Sequence, residues 1–405
     1  MPFAHFLLKL KKTIVNNTDY NKSIQLLHKV ATPNGFLASA ENTTNYQRVW
    51  ARDGVICGLA ALASGDDKLI LTFKKTLETL ANNQHANGTI PSNVLIENDK
   101  TDVSYGGLAG RVDAVTWFVI GICQYSLQTN NPEFVEKHKP NIQKCLSLLE
   151  AWEFNNKHLL YVPLSGNWAD EYITDGYVLY DQLLRIWALK SYNHFEKSEI
   201  ISNKIDKIIE QIEINFMPNS TGEKYHERAY NEVNFQNYFP CSFSPSGYKT
   251  QFDAFANSLI LLLNIGSVAF QNKVIEYSIA LASETKLGLL PAFWPPVFQN
   301  EEHWNLLKNN CKYEFRNYPY EFHNGGSWSM VNGFFGLALL AKDKKRNAEL
   351  VLNKINNANA INEYSFYENF NTQTQEPNGV SLCAWSAAAC VLVHQSLYNN
   401  FKIVF

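Results

Sequence analysis

Two carboxylates set among aromatic side chains are the residues of this chain best suited to chemistry. Asp170 lies in "SGNWADEYITDG", between Trp168 and Tyr172 and next to Glu171; Glu368 lies in "SFYENFNTQTQEPNG". Breaking an acetal bond through an oxocarbenium-like transition state needs such a pair. One protonated carboxyl gives its proton to the leaving oxygen, and the other activates water or attacks directly. Aromatic surroundings and a neighbouring carboxylate both raise a carboxyl pKa, as a general acid requires. Asp170 therefore takes the acid role, with Glu171 as its competitor, and Glu368 takes the second. Each also has a plain reading: Asp170 as an exposed loop acid or N-cap, Glu368 as a surface residue in a turn-rich loop.

Other polar residues stand where hydrophobic runs begin. Arg52 and Asp53 follow Trp50 and open the apolar run "GVICGLAAL". Buried charge is costly unless paired and hydrogen-bonded, so the two are expected to satisfy each other and present fixed hydrogen bonds to hydroxyl groups. Asp113, in "GRVDAVTWF", is either an N-cap or a hydroxyl ligand. In "EFHNGGSWSM", His323 and Asn324 precede a Gly–Gly pair and Trp328. The glycines let the backbone approach a ligand, or simply make a turn. Trp328 and Trp385 also suit the core.

Several classes are excluded. No phosphate-binding glycine loop or G-x-S-x-G elbow occurs. Asp66 and Asp67 in "SGDDKL" lack the further acids of a metal–diphosphate site and read as a solvated turn. None of the seven cysteines has the His and Asp neighbours of a zinc site, so no metal or cofactor is expected. A net charge of −3 over 405 residues, with no basic stripe, argues against nucleic acid as a partner. Core filling explains most of the 13% aromatic content, and an excess beyond that is compatible with a cleft that stacks the flat faces of sugars. Scattered, odd-numbered cysteines fit a reducing compartment. The start "MPFAHFLLKLKK" is too short in its apolar run for a signal peptide, and no segment reaches membrane-spanning length. The expectation is a soluble cytoplasmic protein that binds a small carbohydrate, touches no membrane, and is free to form a homo-oligomer.

The elements that must position these residues are helical. Apolar spacing at three and four residues predicts helices over 20–30, 54–64, 69–82, 113–128, 132–151, 177–194, 196–215, 251–264, 270–285, 328–341, 344–356 and 382–398. Segments apolar all round, such as "ANSLILLLNIG" and "CAWSAAACVLV", alternate with segments charged on one face, such as "KLILTFKKTLETLANN". Six inner and six outer helices make an all-α, (α/α)6 barrel, and no linker divides residues 1–405 into more than one domain. A solenoid of helix pairs is the alternative, but no residue-level repeat supports it. The polar and aromatic motifs each precede an inner helix, so parallel inner helices gather them at one mouth, a site for a neutral polyhydroxy ligand.

From about Tyr46 to Leu397 the ordered motifs resemble those of the six-hairpin glycosidases. "VWARDG" is similar to an element of glucoamylases and glycogen-debranching (amylo-α-1,6-glucosidase) domains, which implies that Arg52 and Asp53, beside Trp50, hold the terminal sugar. "GRVDAVTWFVIG" is similar to debranching-type and neutral/alkaline invertase elements and places Asp113 in that site. "FHNGGSWS" is matched at His323, Asn324, Gly325, Gly326, Ser327 and Trp328, departing from the invertase pattern at Ser329. "ENFNTQTQEPNG" puts Glu368 on the family's base. "WADEYITDGYVLYDQLLRIWAL" puts Asp170 on its acid and aligns Gln182, while Glu171–Tyr172 and "YDQ" depart at substrate-facing positions. The resemblance implies an inverting, exo-acting glycosidase with Asp170 as acid, Glu368 as base and Trp168 and Glu171 lining the pocket. The two carboxyl groups are then expected about 6.5–9.5 Å apart. A phosphorylase would carry cationic residues in place of the base, which Glu368 argues against; a non-catalytic sugar-binding barrel is the third reading.

Overall fold

The computed structural model describes residues 18–43, 45–98 and 100–405; the opening stretch read above for a leader signal lies outside them. Twelve helices of ten residues or more are present among them: α1 (Thr18–Lys29), α2 (Ala51–Ser64), α3 (Asp67–Asn82), α4 (Val112–Gln128), α5 (Pro132–Ala151), α6 (Leu179–Glu196), α7 (Glu199–Phe216), α8 (Ala254–Leu263), α9 (Val268–Glu284), α10 (Ser329–Ala341), α11 (Lys345–Asn359) and α12 (Ala384–Tyr398). The even-numbered helices pack side by side in sequence, α2 on α4 and so on to α12, and α12 packs back on α2, closing the ring. Each odd-numbered helix lies outside against an inner one. The fold is the expected (α/α)6 barrel.

Burial explains the alternation. Every residue of α2 is buried, as is α4 from Val112 to Ser126, so neither tolerates a charged face. Rings of Trp117, Trp187, Phe255 and Phe334 fill the interior, with Trp117 and Trp187 edge-on at 5.5 Å. The far end is closed where Val404's carbonyl accepts from Trp187 Nε1 at 2.8 Å. Turns from an inner to an outer helix at that end are short: 65–66, 129–131, 197–198, 264–267 and 342–344. In the first, Gly65 takes φ 68°, a left-handed conformation that glycine adopts without strain, and ends α2. Asp66 then caps α3 by accepting from Leu69 N at 3.1 Å. The "SGDDKL" turn is thus a helix stop and a helix start.

The return connections to the inner helices are long: 30–50, 83–111, 152–178, 217–253, 285–328 and 360–383. All lie at the mouth, and most of the chain's non-helical length is spent there. Short antiparallel sheets staple them together. β3 (Val49–Trp50), β4 (Asn93–Glu97) and β5 (Lys100–Ser104) form one sheet; β6 (Tyr177–Val178), β7 (Pro240–Ser244), β8 (Gly247–Asp253) and β9 (Phe293–Trp294) form another. Two-stranded ribbons join β1 (Ala31–Thr32) to β2 (Gly35–Phe36) and β10 (Asn369–Phe370) to β11 (Pro377–Asn378). The helix expected from residue 251 begins at Ala254, because 247–253 is strand β8. The described cysteines are all free thiols, buried except for half-buried Cys311. Among the described residues no helix is long and apolar enough to cross a membrane.

Candidate active site

Because the inner helices are parallel, their N-termini converge at the mouth, and four of them bring an aspartate there. Asp53, Asp113 and Asp181 lie in the first turns of α2, α4 and α6. Asp253 caps α8, accepting from Phe255 N and Ala256 N at 2.9 and 3.0 Å. The partial positive charge at helix N-termini favours these acids. The cation among them is Arg52, and its partner corrects the sequence expectation. Arg52 Nη1 donates to Asp113 Oδ2 at 2.8 Å, whereas its Nε stands 3.9 Å from Asp53. Successive residues on a helix do not face each other, so Arg52 reaches across to α4. Asp113 is not a cap: Arg111 occupies that position, and Asp113 also accepts from Tyr180 Oη at 3.3 Å. Arg52 lies over the Trp385 ring at 5.5 Å. Burial pushes Asp53 up to about 6 against the pull of Arg52, and pushes Asp253 up to about 7.

Asp170 stands on the loop before β6. Its Oδ2 accepts from Arg111 Nη2 at 2.7 Å, and its side chain is 30% exposed. Arg111 is held in turn by the carbonyls of Ser165 (2.6 Å) and Ala109 (2.8 Å). The loop is tied to α6 through Asn167, which donates to Asp181 Oδ2 at 3.1 Å and accepts from Ala169 N at 3.0 Å. Glu171 turns away from its neighbour into a two-pronged ion pair with Arg316, at 2.8 and 2.5 Å. Arg316 therefore pairs with the carboxylate next to Asp170. Trp168 is buried, stacked on Phe293 at 5.9 Å and edge-on to His323 at 5.1 Å.

Glu368 is buried just before β10. Tyr46 Oη donates to its two oxygens at 2.9 and 3.1 Å, and Val380 N donates at 3.3 Å. Burial pushes Glu368 up to about 7, against the Tyr46 hydrogen bond and the charge of Arg316. Gly379 packs against it: a Cβ there would fall 2.1 Å from Oε2, and the backbone has φ +75°. His323 stacks on Trp328 at 5.0 Å, and burial pushes it down to about 3, so it is neutral at pH 7. Asp53 feels the charge of Asp170, Glu368 feels that of Asp53, and His323 feels Asp170, Arg52 and Arg316. Those residues therefore share one electrostatic environment. Around it Arg52 Nε, Trp168 Nε1 and Trp385 Nε1 are buried without a hydrogen bond, each at a cost of about 1–3 kcal/mol that a ligand rich in hydroxyls would offset.

Two expected sugar ligands are placed otherwise. Gln182, fully buried, spends its amide on the backbone of Leu160 and Val178. Asn324, also fully buried, does the same with Val297 and Asn317. Both fix mouth loops and have no group left for a sugar. Trp50 is half-buried at the N-cap of α2 and donates to Asn45 O at 2.9 Å. Conversely, Tyr46, Arg111, Asn167, Asp181 and Arg316 were not singled out as site residues. Arg111, Asn167 and Asp181 lie inside the motifs given above, Arg111 two residues from Asp113, and Tyr46 precedes "VWARDG". Nothing local marks Arg316, whose partner is far away in sequence.

The architecture is the six-hairpin glycosidase fold. A GH63 mannosylglycerate hydrolase from Thermus thermophilus, solved with Tris and D-glycerate, matches with a TM-score of 0.66 at 10% identity over 92% of this chain and 99% of that one. A bacterial glucoamylase solved with acarbose matches with a TM-score of 0.63 at 15% identity over 96% of this chain and 56% of that one. A rhamnosidase from Klebsiella oxytoca with rhamnose bound matches with a TM-score of 0.62 at 10% identity, covering 94% of this chain and 64% of that one. No family model and no curated protein matches the sequence.

Proposed function

We propose that the chain is an inverting, exo-acting glycoside hydrolase that releases a terminal sugar from a small α-glucoside, an α-1,6-branched glucan or sucrose. Asp170 protonates the leaving oxygen and Glu368 activates water. Arg52, Asp53 and Asp113 bind the terminal sugar, with Trp168, His323 and Trp328 lining the pocket. The observation that carries this reading is the setting of Glu368. Both groups that bond it, Tyr46 Oη and Val380 N, donate to it, so the site is built for a carboxylate acceptor. Its rise to about 7 poises it as a base near working pH. The shared fold with three sugar-cleaving enzymes agrees with this, as does a floor of buried polar groups that rejects ligands lacking the matching hydroxyls.

A second reading exchanges the two roles, and the Arg111 ion pair favours it, since a guanidinium at 2.7 Å suits an ionised Asp170. The test of the function is incubation with sucrose, isomaltose, maltodextrin, glucosylglycerate and mannosylglycerate, with products read by NMR. Release of the β-anomer from an α-glucoside is expected; release of the α-anomer, or no cleavage of any of the five, overturns the proposal.

A further inference from the structure

One cavity among the described mouth loops is lined by neither Glu368 nor Asp170. It has a volume of about 860 Å³ and opens beside Arg111, walled by Tyr105, Trp152, Phe154, Tyr161 and Pro245, within the range of about 300–1,000 Å³ typical of small-molecule sites. Arg111 joins it to the chemistry. It forms part of the cavity wall, and its Nη2 holds Asp170, the carboxylate assigned to the leaving group. Its Nε is buried without a hydrogen bond. Phe154 is 71% exposed, although aromatic rings normally seek burial, and Tyr161 stands edge-on to it at 6.3 Å, 77° between planes. Tyr161 is held upright by Tyr177, 5.4 Å away at 86°. Rings fixed by their neighbours while their faces remain free form a platform for another flat, partly apolar ring.

We infer that this cavity receives the ring of the leaving group, so that the substrate is a glycoside whose aglycone is itself a sugar or aryl ring rather than a small polyol or acid. The inference rests on the proposed hydrolase reading and on Asp170 as its acid. Leaving groups depart on the side of the acid, and one residue separates Asp170 from the aromatic wall. Small aglycones such as glycerate, and the fluoride ion, would leave the platform uncovered.

The test compares isomaltose, whose leaving group is a glucose ring, with α-D-glucosyl fluoride, whose leaving group has none. Phe154→Ala removes an exposed ring and spares the core. It is expected to lower kcat/KM for isomaltose about tenfold, mostly through KM, while the value for the fluoride stays within twofold. Tyr161→Leu is expected to act in the same direction, with circular dichroism confirming its fold. Equal losses on both substrates, or no loss on isomaltose, overturn the platform while leaving the hydrolase reading intact. If the parent chain cleaves neither isomaltose nor the fluoride, the platform falls; if it also cleaves none of the other four substrates named above, the hydrolase reading falls with it.

Discussion

The proposed acid side and the proposed base side of the mouth hold the same functional group in opposite ways. Asp170 is partly exposed, on a loop, and neutralised by Arg111. Glu368 is buried, bonded by a phenol and a backbone amide, and pressed by Gly379. One carboxylate is paired with a cation at the edge of solvent; the other is held by neutral donors in a buried setting. A group that must meet substrates of different shape suits the solvent-edge setting, and a group that must aim one water suits the buried one. Chemical identity alone would not have separated the two; their surroundings do.

The sharpest way to break that contrast is to change the leaving group. Glu368→Gln is expected to lower kcat by about 10²–10⁴ on every substrate, the usual contribution of a general base. Asp170→Asn should show a comparable loss on isomaltose but remain within about tenfold of the parent on α-D-glucosyl fluoride, since fluoride departs without a proton. Steady-state kinetics with both substrates decide the matter. Should Asp170→Asn fail on the fluoride while Glu368→Gln retains it, the two roles are exchanged and the Arg111 pair marks the base.

Asp53 offers the next largest effect. It sits near the acid and base charges yet lacks a close bond to Arg52, so it is available to a hydroxyl. Asp53→Ala is expected to lower kcat/KM by about 10²-fold, in keeping with about 3 kcal/mol for a lost charged hydrogen bond, without lowering Tm. A chain that unfolds on this change would show that Asp53 is structural. Arg52→Ala is different: it leaves Asp113 buried without its counter-charge, and should destabilise by about 3–5 kcal/mol.

Tyr46 tests the base side more finely. Its hydrogen bond lowers Glu368 against the upward push of burial. Tyr46→Phe therefore raises Glu368 further, and the acidic limb of the kcat/KM profile, expected near 7, should move to higher pH. At pH 6 the rate should fall about tenfold or more, the worth of a hydrogen bond to a charged group. An unmoved limb would mean that Glu368 is not the group whose ionisation the profile reports.

The barrel was legible because its signals are long. Helices such as α4 and α12 are apolar all round over four turns, and α3 shows one charged face, patterns that few other arrangements produce. The two proposed carboxylates lie within the motifs "SGNWADEYITDG" and "SFYENFNTQTQEPNG", but their opposite settings are not written there. Strands of two residues, such as β6 and β9, have no period to read. Pairings across the ring were equally hidden: Arg52 with Asp113 and Arg316 with Glu171 are 61 and 145 residues apart, and adjacency suggested Asp53 and Asp170 instead. Gln182 and Asn324 show the converse failure. A polar residue in a functional motif can be there to hold the loop's backbone, and only its hydrogen bonds reveal which.

The smallest expected effect concerns stability, and it should differ in sign between the two sides. Glu368 rises from 4.5 to about 7 on folding, so the folded chain retains a proton that the unfolded chain releases. The stability this confers is fully present below pH 4.5 and is lost as pH rises through 7. At pH 8 the buried charge costs about 3 kcal/mol, at roughly 1.4 kcal/mol per unit. Glu368→Gln, which cannot ionise, should therefore raise Tm by a few degrees at pH 8 and leave it nearly unchanged at pH 4.5. Asp170→Asn removes a partly exposed ion pair worth about 1 kcal/mol at most, so Tm should fall slightly at pH 8. Differential scanning calorimetry of the two variants at both pH values reads this directly. If Glu368→Gln lowers Tm at pH 8, its carboxylate is a structural tie, and the buried setting of the base side serves the fold rather than the water it is proposed to aim.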